Sequence, residues 1–258
     1  MLRSRTRKLS ALFMAAAALL GLTGAATGVA QAKPQPQAKP QTQSKPQTQS
    51  KPQTQTAPQA AETPNPVIFV HGYNADPGVW GSLRADFRAS GYTDAELFSW
   101  GYDTDRSVNE TLSGRFAAYV AEVRAQTGAD RVDIVAHSFG SLVTRWYIKH
   151  GGGAGTVDDW VSLAGPNHGT TTAWLCALWS QACRDMTPGS YVQDRLAEGD
   201  ETPGTVSYAT FWSNCDEVIN PDDSVPLTGA TNIASGCLEH NDFLFDATVS
   251  QGVRDFVR

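Results

Sequence analysis

The hydrophobic positions divide the chain into three parts. Basic residues precede an apolar run from residue 11 to about residue 22, and a segment without an apolar face follows as far as residue 62. From residue 63 onward, short β-branched runs alternate with stretches of helical periodicity. The pattern therefore predicts one globular domain over residues 63–258, which is long enough to bury a sizeable core.

Strands and helices are predicted to alternate through this domain. The predicted strands are 66–70, 96–100, a run ending at residue 137, 160–164, 206–212 and, more weakly, 231–234. The predicted helices are about 80–89, 107–126, 139–150 and 242–257, the second opened by a capping box of Ser107 and Glu110. Alternation of this kind predicts a mostly parallel central sheet with helices on both faces. Ligands of such sheets bind beyond the carboxyl ends of the strands.

Residues 1–32 have the three parts of a secretory signal peptide. Four basic residues come before an apolar run that is too short to span a bilayer comfortably, and Ala30-Gln31-Ala32 is a small-residue cleavage site. We therefore expect secretion with cleavage after Ala32.

Residues 33–62 are predicted to be a disordered linker rich in Lys, Pro, Gln and Thr. Lys-Pro-Gln recurs there with a period of six residues, starting at positions 33, 39, 45 and 51. No apolar face offsets the entropy of ordering such a segment. A tether through or away from a cell envelope and a disordered pro-like extension both fit this composition.

The charge of the chain is divided as sharply as its hydropathy. Residues 62–258 hold all 26 acidic side chains and only 12 of the 20 basic ones, which is a net charge of −14. A basic surface for nucleic acid is absent, so nucleic-acid binding is excluded.

Ser138 ends a β-branched strand and opens an apolar-periodic helix, in the sequence Ala136-His137-Ser138-Phe139-Gly140. A strand, a tight elbow and a helix in this order push the serine hydroxyl out of the sheet, toward the N–H groups of the first helical turn. The arrangement favours Ser138 as a catalytic nucleophile, although serine between small residues also occurs in ordinary turns. Ala136 stands where this pattern usually has glycine.

A serine nucleophile needs a base, and the base needs an orienting acid. With an elbow nucleophile the acid and then the base follow later in the chain. His240, just before the last predicted helix, has this order and place. His168 also follows a strand, but it precedes every candidate acid. The other histidines fit less well: His137 diverges from the adjacent serine, His71 suits a structural or oxyanion-loop role, and His150 lies at a helix end.

Asp216 is the favoured acid because it directly follows the predicted strand 206–212. Glu217 is the neighbouring alternative, whereas Asp222 and Asp223 are typical of a turn. A structural cation at the Asp222/Asp223 loop is conceivable, but no cofactor and no catalytic metal are implied.

Backbone N–H groups are predicted to bind the oxyanion that forms when a serine attacks an acyl group. One is the N–H of Phe139, the residue after the nucleophile. The other is expected from the loop after the first strand, most plainly the N–H of Tyr73.

The four cysteines all lie in the predicted exported domain, which argues for two disulfides. Sequence proximity favours Cys176–Cys183 and Cys215–Cys237 among the three possible connectivities. The second bond would join the loop of Asp216 to the loop of His240. A generic staple in a secreted domain is the alternative interpretation. Metal binding is not expected, because no Cys-x-x-Cys pair is present.

Five segments together resemble the small bacterial triacylglycerol lipases, the class 2 lipases of the α/β-hydrolase superfamily. They are residues 67–73, 136–140, 163–170, 213–221 and 238–242, and the resemblance runs from about residue 65 to the end of the chain. Several such lipases also have alanine at the position of Ala136. The resemblance implies an α/β-hydrolase fold with a minimal lid, and a triad of Ser138, Asp216 and His240.

The function implied by this resemblance is that of a secreted ester hydrolase, a lipase or esterase that cleaves acylglycerols and other esters through an acyl-enzyme. We further expect a monomer that makes transient contact with a lipid interface. The apolar segment 174–179 is expected to line or overhang the acyl site, with ordinary core packing as the alternative. An amidase or acyltransferase with the same triad and a non-catalytic envelope protein remain competing hypotheses.

Overall fold

A computed structural model of the protein describes residues 64–105 and 108–257. Within these residues six strands form one parallel sheet in the order β2-β1-β3-β4-β5-β6. The strands are β1 (Val67–Val70), β2 (Leu97–Trp100), β3 (Val132–His137), β4 (Val157–Leu163), β5 (Ser207–Trp212) and β6 (Thr231–Ala234). The predicted signal peptide (1–32) and linker (33–62) lie outside the described residues.

Helices cover both faces of this sheet. They are α1 (Gly81–Ala89), α2 (Asn109–Thr127), α3 (Phe139–His150), α4 (Gln181–Met186), α5 (Tyr191–Ala197) and α6 (Ala247–Phe256). Because side chains alternate along a strand, Ile68 and Val70 belong to the core formed with α2 and α3, whereas Val67 and Phe69 belong to the core formed with α1 and α6. The structure thus confirms the predicted α/β architecture.

Some element boundaries differ from the prediction. β4 begins at Val157, three residues before the predicted start, because Val157 pairs with Val132 of β3 and Asp159 pairs with Ser207 of β5. The predicted final helix is divided into a short 3-10 helix (Asp242–Leu244) and α6. Asp246 separates them by capping α6, since its Oδ1 accepts from the N–H groups of Thr248 and Val249.

The predicted capping box at the start of α2 is wrong. The N-cap residue is Val108, whose side chain makes no capping hydrogen bond, and Ser107 lies outside the described residues. Instead the N–H of Asn109 donates at 3.0 Å to Asp185 Oδ2, from α4. A residue 76 positions away therefore provides the cap that a local motif was expected to supply. The predicted stop is correct, because Gly128 adopts a left-handed conformation with φ of 74°.

The connection between β4 and β5 is the largest insertion above the sheet. It contains a short 3-10 helix (Thr171–Leu175) followed by α4 and α5. The fully buried Arg145 of α3 holds this insertion, because its guanidinium donates to the carbonyl oxygens of Asn167 (2.9 Å) and Leu196 (3.0 Å). In the described part of the chain, no helix is long and apolar enough to cross a membrane.

Candidate active site

Ser138 lies in a strained turn between β3 and α3, with φ of 53° and ψ of −129°. Such a backbone conformation is uncommon for a residue with a side chain and indicates a functional constraint. The helix can follow the strand this closely only because residue 140 is glycine. A Cβ there would lie 2.6 Å from the carbonyl oxygen of His71 and 2.7 Å from that of Val70. The elbow thus presents Ser138 at the carboxyl ends of β1 and β3.

The side chains of Ser138, His240 and Asp216 form one hydrogen-bonded chain. His240 Nε2 lies 3.0 Å from Ser138 Oγ, and His240 Nδ1 lies 3.0 and 3.1 Å from the two carboxylate oxygens of Asp216. All three side chains are almost completely buried. A nucleophile, a base and an orienting acid in contact are the geometry that serine hydrolysis requires.

Three hydrogen bonds from backbone N–H groups hold Asp216 and His240 in place. Asp216 Oδ1 accepts from the N–H groups of Val218 and Ile219, both at 2.9 Å. The carboxylate of Glu217, the alternative acid, accepts at 3.0 Å from the backbone N–H of His240 and does not contact its ring nitrogens. Glu217 therefore fixes the backbone of His240, whereas Asp216 fixes its imidazole.

Both disulfides join the pairs of cysteines that are nearest in sequence. Cys215–Cys237 closes a loop between residues 22 positions apart and connects the segment of Asp216 to the segment of His240. Cys176–Cys183 closes a loop between residues seven positions apart in the insertion after β4.

His137 contributes a contact that sequence reasoning missed. Its Nε2 lies 2.9 Å from the backbone oxygen of His240, so this nitrogen carries the proton and donates. Burial, and then the nearby His240, lower the pKa of His137 to about 3, so the ring stays neutral. His137 is not predicted to be the base, because adjacent side chains diverge at an elbow. That divergence turns the ring away from the Ser138 hydroxyl and toward the His240 backbone.

The other three histidines do not contact Ser138. His71 Nδ1 donates to the carbonyl oxygen of Gly72 at 2.9 Å. Both ring nitrogens of His168 have partners elsewhere, Ser224 O at 3.0 Å and Glu201 Oε1 at 2.6 Å. The ring of His150 is near the backbone of α5, at 3.2 Å from an oxygen of that helix. None of them is placed to act as the base.

The predicted oxyanion loop follows β1 and is held by aromatic stacking. The His71 ring stacks on Tyr102 at 4.4 Å between centroids, and the Tyr102 hydroxyl donates to the His71 carbonyl oxygen at 2.7 Å. Burial lowers the pKa of His71, which favours a neutral ring in this stack. Tyr73 comes next and lines the cleft beside Ser138. Phe139 is the first residue of α3, so its N–H has no acceptor within the helix.

A cleft of about 260 Å³ opens directly above Ser138 and His240. Its wall is mainly apolar, with Ala75, Val79, Ala173, Met186, Val218 and Leu244 among the lining residues. An apolar cleft with a few convergent polar groups suits an acyl chain attached to a polar reacting centre.

The segment 174–179 fits its two sequence-based interpretations only in part, because Cys176 lines the cleft whereas the large side chains of the segment are exposed. Its large side chains do not pack in the core, and they are not among the residues that line the cleft. Within this segment only the disulfide-bonded Cys176 lines the cleft, together with Thr170, Thr172 and Ala173 from the preceding residues. Among the described residues no group of three or more acidic, histidine or cysteine side chains could hold a metal ion, at the Asp222/Asp223 loop or elsewhere.

Known proteins are similar to this chain in sequence or in fold. The sequence model of the family described as Lipase (class 2) matches residues 64–235. The mature form of a Bacillus licheniformis lipase is 18% identical, with a TM-score of 0.64 over 76% of this chain and 92% of that one. Lipase B of Aspergillus fumigatus is 20% identical, with a TM-score of 0.60 over 72% of this chain and 51% of that one.

Proposed function

The chain belongs to the class 2 lipase family, and we propose from this and from the site geometry that it is a secreted lipolytic ester hydrolase working through an acyl-enzyme on Ser138. The observation that carries the proposal is the chain of contacts from Asp216 through His240 to the Ser138 hydroxyl, with distances of 3.0–3.1 Å, at the floor of an apolar cleft.

In the first half of the reaction, Ser138 Oγ attacks the carbonyl carbon of the ester, and its proton passes to His240 Nε2. The carbonyl oxygen becomes an oxyanion that accepts from the backbone N–H groups of Tyr73 and Phe139. As the C–O bond to the leaving group breaks, His240 returns the proton to the departing alcohol. The acyl group remains on Ser138.

In the second half, water replaces the alcohol. His240 removes a proton from the water, whose oxygen attacks the acyl carbon. As the second tetrahedral intermediate collapses to the carboxylic acid, the bond to Ser138 Oγ breaks and His240 Nε2 returns the proton to this oxygen. Asp216 holds His240 in the tautomer with the proton on Nδ1 and stabilises the imidazolium formed in each half.

The small volume of the cleft, about 260 Å³, supports the hydrolysis of esters with short and medium acyl chains in addition to acylglycerols. A minimal lid leaves the cleft partly open, so soluble esters should reach Ser138 without a lipid interface. The N-terminal sequence and the use of all four cysteines in disulfides support export. The N-terminal sequence of the protein recovered from culture medium tests both export and cleavage after Ala32.

A chain-length series from soluble acetate and butyrate esters to emulsified long-chain triacylglycerols tests the substrate class. We expect turnover of butyrate esters by the native protein, none above background by Ser138→Ala, and labelling of Ser138 by a serine-directed phosphonate. Folded protein that hydrolyses no ester of any length would overturn the proposal. Labelling of a different residue would overturn the assignment of Ser138.

A further inference from the structure

Four large apolar side chains are exposed beside the catalytic cleft. Trp174, Leu175, Leu178 and Trp179 are 60, 75, 89 and 70% exposed, and they are four of the seven large hydrophobic residues that are exposed in the described part of the chain. We call these four side chains the apolar loop face. Single exposed hydrophobic residues are ordinary, but a cluster within six positions of the chain marks an interaction site.

The backbone that carries the apolar loop face is firmly held. The N–H of Ala177 donates to the Ala173 carbonyl oxygen at 3.1 Å, and the N–H groups of Trp179 and Ser180 donate to that of Cys176. The disulfide from Cys176 to Cys183 then ties the turn to α4. The exposure of these side chains is therefore set by a cross-linked turn.

This face is continuous with the rim of the cleft. Ala173 and Cys176, which alternate with the exposed residues along the chain, line the same cleft as Ser138. Anything that covers the apolar loop face thus lies next to the entrance for substrate. A protein partner at this position would restrict access, whereas a lipid surface would supply the substrate.

The charges in and around this face favour a lipid without net charge. Residues 170–183 contain no charged side chain, although residues 62–258 carry a net charge of −14. The first cation after the loop, Arg184, donates to the Ala177 carbonyl oxygen and to Gln181 Oε1. Anionic headgroups would be repelled by the domain and would find no basic cluster in this segment. Tryptophan, with an apolar body and a polar N–H, suits the boundary between lipid and water.

We propose that the apolar loop face docks the enzyme onto an uncharged or zwitterionic lipid surface and thereby brings the rim of the cleft to that surface. The inference deepens the proposed function, because docking serves hydrolysis only if the cleft takes acyl esters. It adds a defined surface, composed of two tryptophans and two leucines, and a defined lipid charge.

Binding is measured on the full chain carrying Ser138→Ala, so that no lipid is hydrolysed during the experiment. Flotation with phosphatidylcholine vesicles is compared between this protein and one that also carries Leu178→Ser and Trp179→Ser. We expect the added pair of substitutions to weaken vesicle partitioning by about tenfold or more, since the loss scales with the apolar area buried. Every protein has the same N-terminal segment, so a contribution from that segment cancels.

Tyr191→Ser is the matched control. Tyr191 is 64% exposed, its ring lies beside Trp146 of α3, and it is not among the residues that line the cleft. We expect this variant to partition like its parent. Vesicles containing phosphatidylglycerol should bind no better than phosphatidylcholine alone.

An activity measurement separates docking from catalysis. In the protein with an intact Ser138, Leu178→Ser with Trp179→Ser should change turnover of a soluble butyrate ester less than about threefold and lower turnover of an emulsified triacylglycerol about tenfold. Equal partitioning of all variants would overturn docking while leaving ester hydrolysis standing. A dimer in sedimentation that the same two substitutions dissociate would show that a second copy covers the face, and would also overturn it. Absence of all ester hydrolysis would instead overturn the proposed function.

Discussion

The imidazole of His137 donates a hydrogen bond from Nε2 to the backbone oxygen of His240, over 2.9 Å. The residue before the proposed nucleophile thus holds the backbone of the proposed base. With Glu217 accepting from the His240 N–H at 3.0 Å, both backbone polar groups of His240 are fixed by side chains. His240 Nε2 lies 3.0 Å from Ser138 Oγ. A shift of the His240 backbone would therefore change the length of this hydrogen bond.

Replacing His137 tests whether this contact positions His240. His137→Phe keeps a ring but removes the donor, and we expect kcat on a soluble butyrate ester to fall about 10- to 100-fold with KM within threefold. His137→Gln carries an amide N–H in reach of the same carbonyl oxygen and should recover most of kcat. Equal losses in both variants, or a change confined to KM, would contradict a positioning role.

Asp216 and Glu217 are distinguished by neutral amide substitutions. Asp216→Asn should lower kcat by about three to four orders of magnitude, because the amide no longer fixes the Nδ1–H tautomer of His240 or stabilises its protonated form. Glu217→Gln keeps an oxygen that accepts from the His240 N–H, so we expect less than about a fivefold loss. Steady-state kinetics on one soluble ester measures both. The reverse order of losses would transfer the role of the acid to Glu217.

The Cys215–Cys237 disulfide is expected to matter for both stability and rate. Replacing both cysteines by alanine should lower the free energy of unfolding by about 3 kcal/mol, from the entropy of the opened loop. At temperatures where the variant is folded, kcat should also fall, because the bond joins the segments of Asp216 and His240.

Removing the Cys176–Cys183 disulfide by the same double substitution is the matched comparison. This bond closes a shorter loop and does not join the segments of Asp216 and His240, but Cys176 lines the cleft. We expect a change in KM with kcat kept within about threefold. A kcat loss of equal size in the two variants would show that cross-linking affects the domain in general.

The part of the molecule that could be predicted from sequence is the part in which local pattern and chain order decide. Alternating strands and helices lead to a parallel sheet, and the order of an elbow serine, an acid and a histidine along the chain predicts the three side chains that are in contact, Ser138, Asp216 and His240. The cleft wall is less accessible to sequence, since its residues come from several loops whose folding depends on distant contacts.

Tertiary contacts explain where the sequence-based expectations failed. The start of α2 is capped by Asp185 from another helix, and no local pattern signals such a partner. The apolar composition of the segment 174–179 predicts that it lines or overhangs the acyl site, with core packing as the alternative. The segment is instead held by turns and a disulfide with its large side chains outward, and apolar composition alone does not distinguish a core from an interaction surface.

The raised pKa of Asp133 leads to a prediction of how the free energy of unfolding depends on pH. This aspartate at the start of β3 is buried, and burial, followed by the nearby Asp159, raises its pKa to about 7. The folded state therefore binds the proton more tightly than the unfolded state, in which the pKa is about 4. The resulting stabilisation is fully present below about pH 4 and is lost as the pH rises to about 7. Asp133→Asn should thus raise the free energy of unfolding at pH 8, by about 2–4 kcal/mol at most, and leave it nearly unchanged at pH 4.

Urea unfolding of the native protein and of Asp133→Asn at pH 4, 6 and 8 measures this difference. Asp94→Asn is the control, because the Asp94 side chain is 72% exposed and pairs with Arg88 at the surface. A surface pair of this kind contributes less than about 1 kcal/mol, so the control should follow the native protein at each pH. The Asn side chain at position 133 keeps an oxygen that can accept from the Asp159 N–H, so lost hydrogen bonding does not mask the gain. If Asp133→Asn is less stable than the native protein at pH 8, the carboxylate is stabilised where it lies and the direction of the pKa shift is wrong.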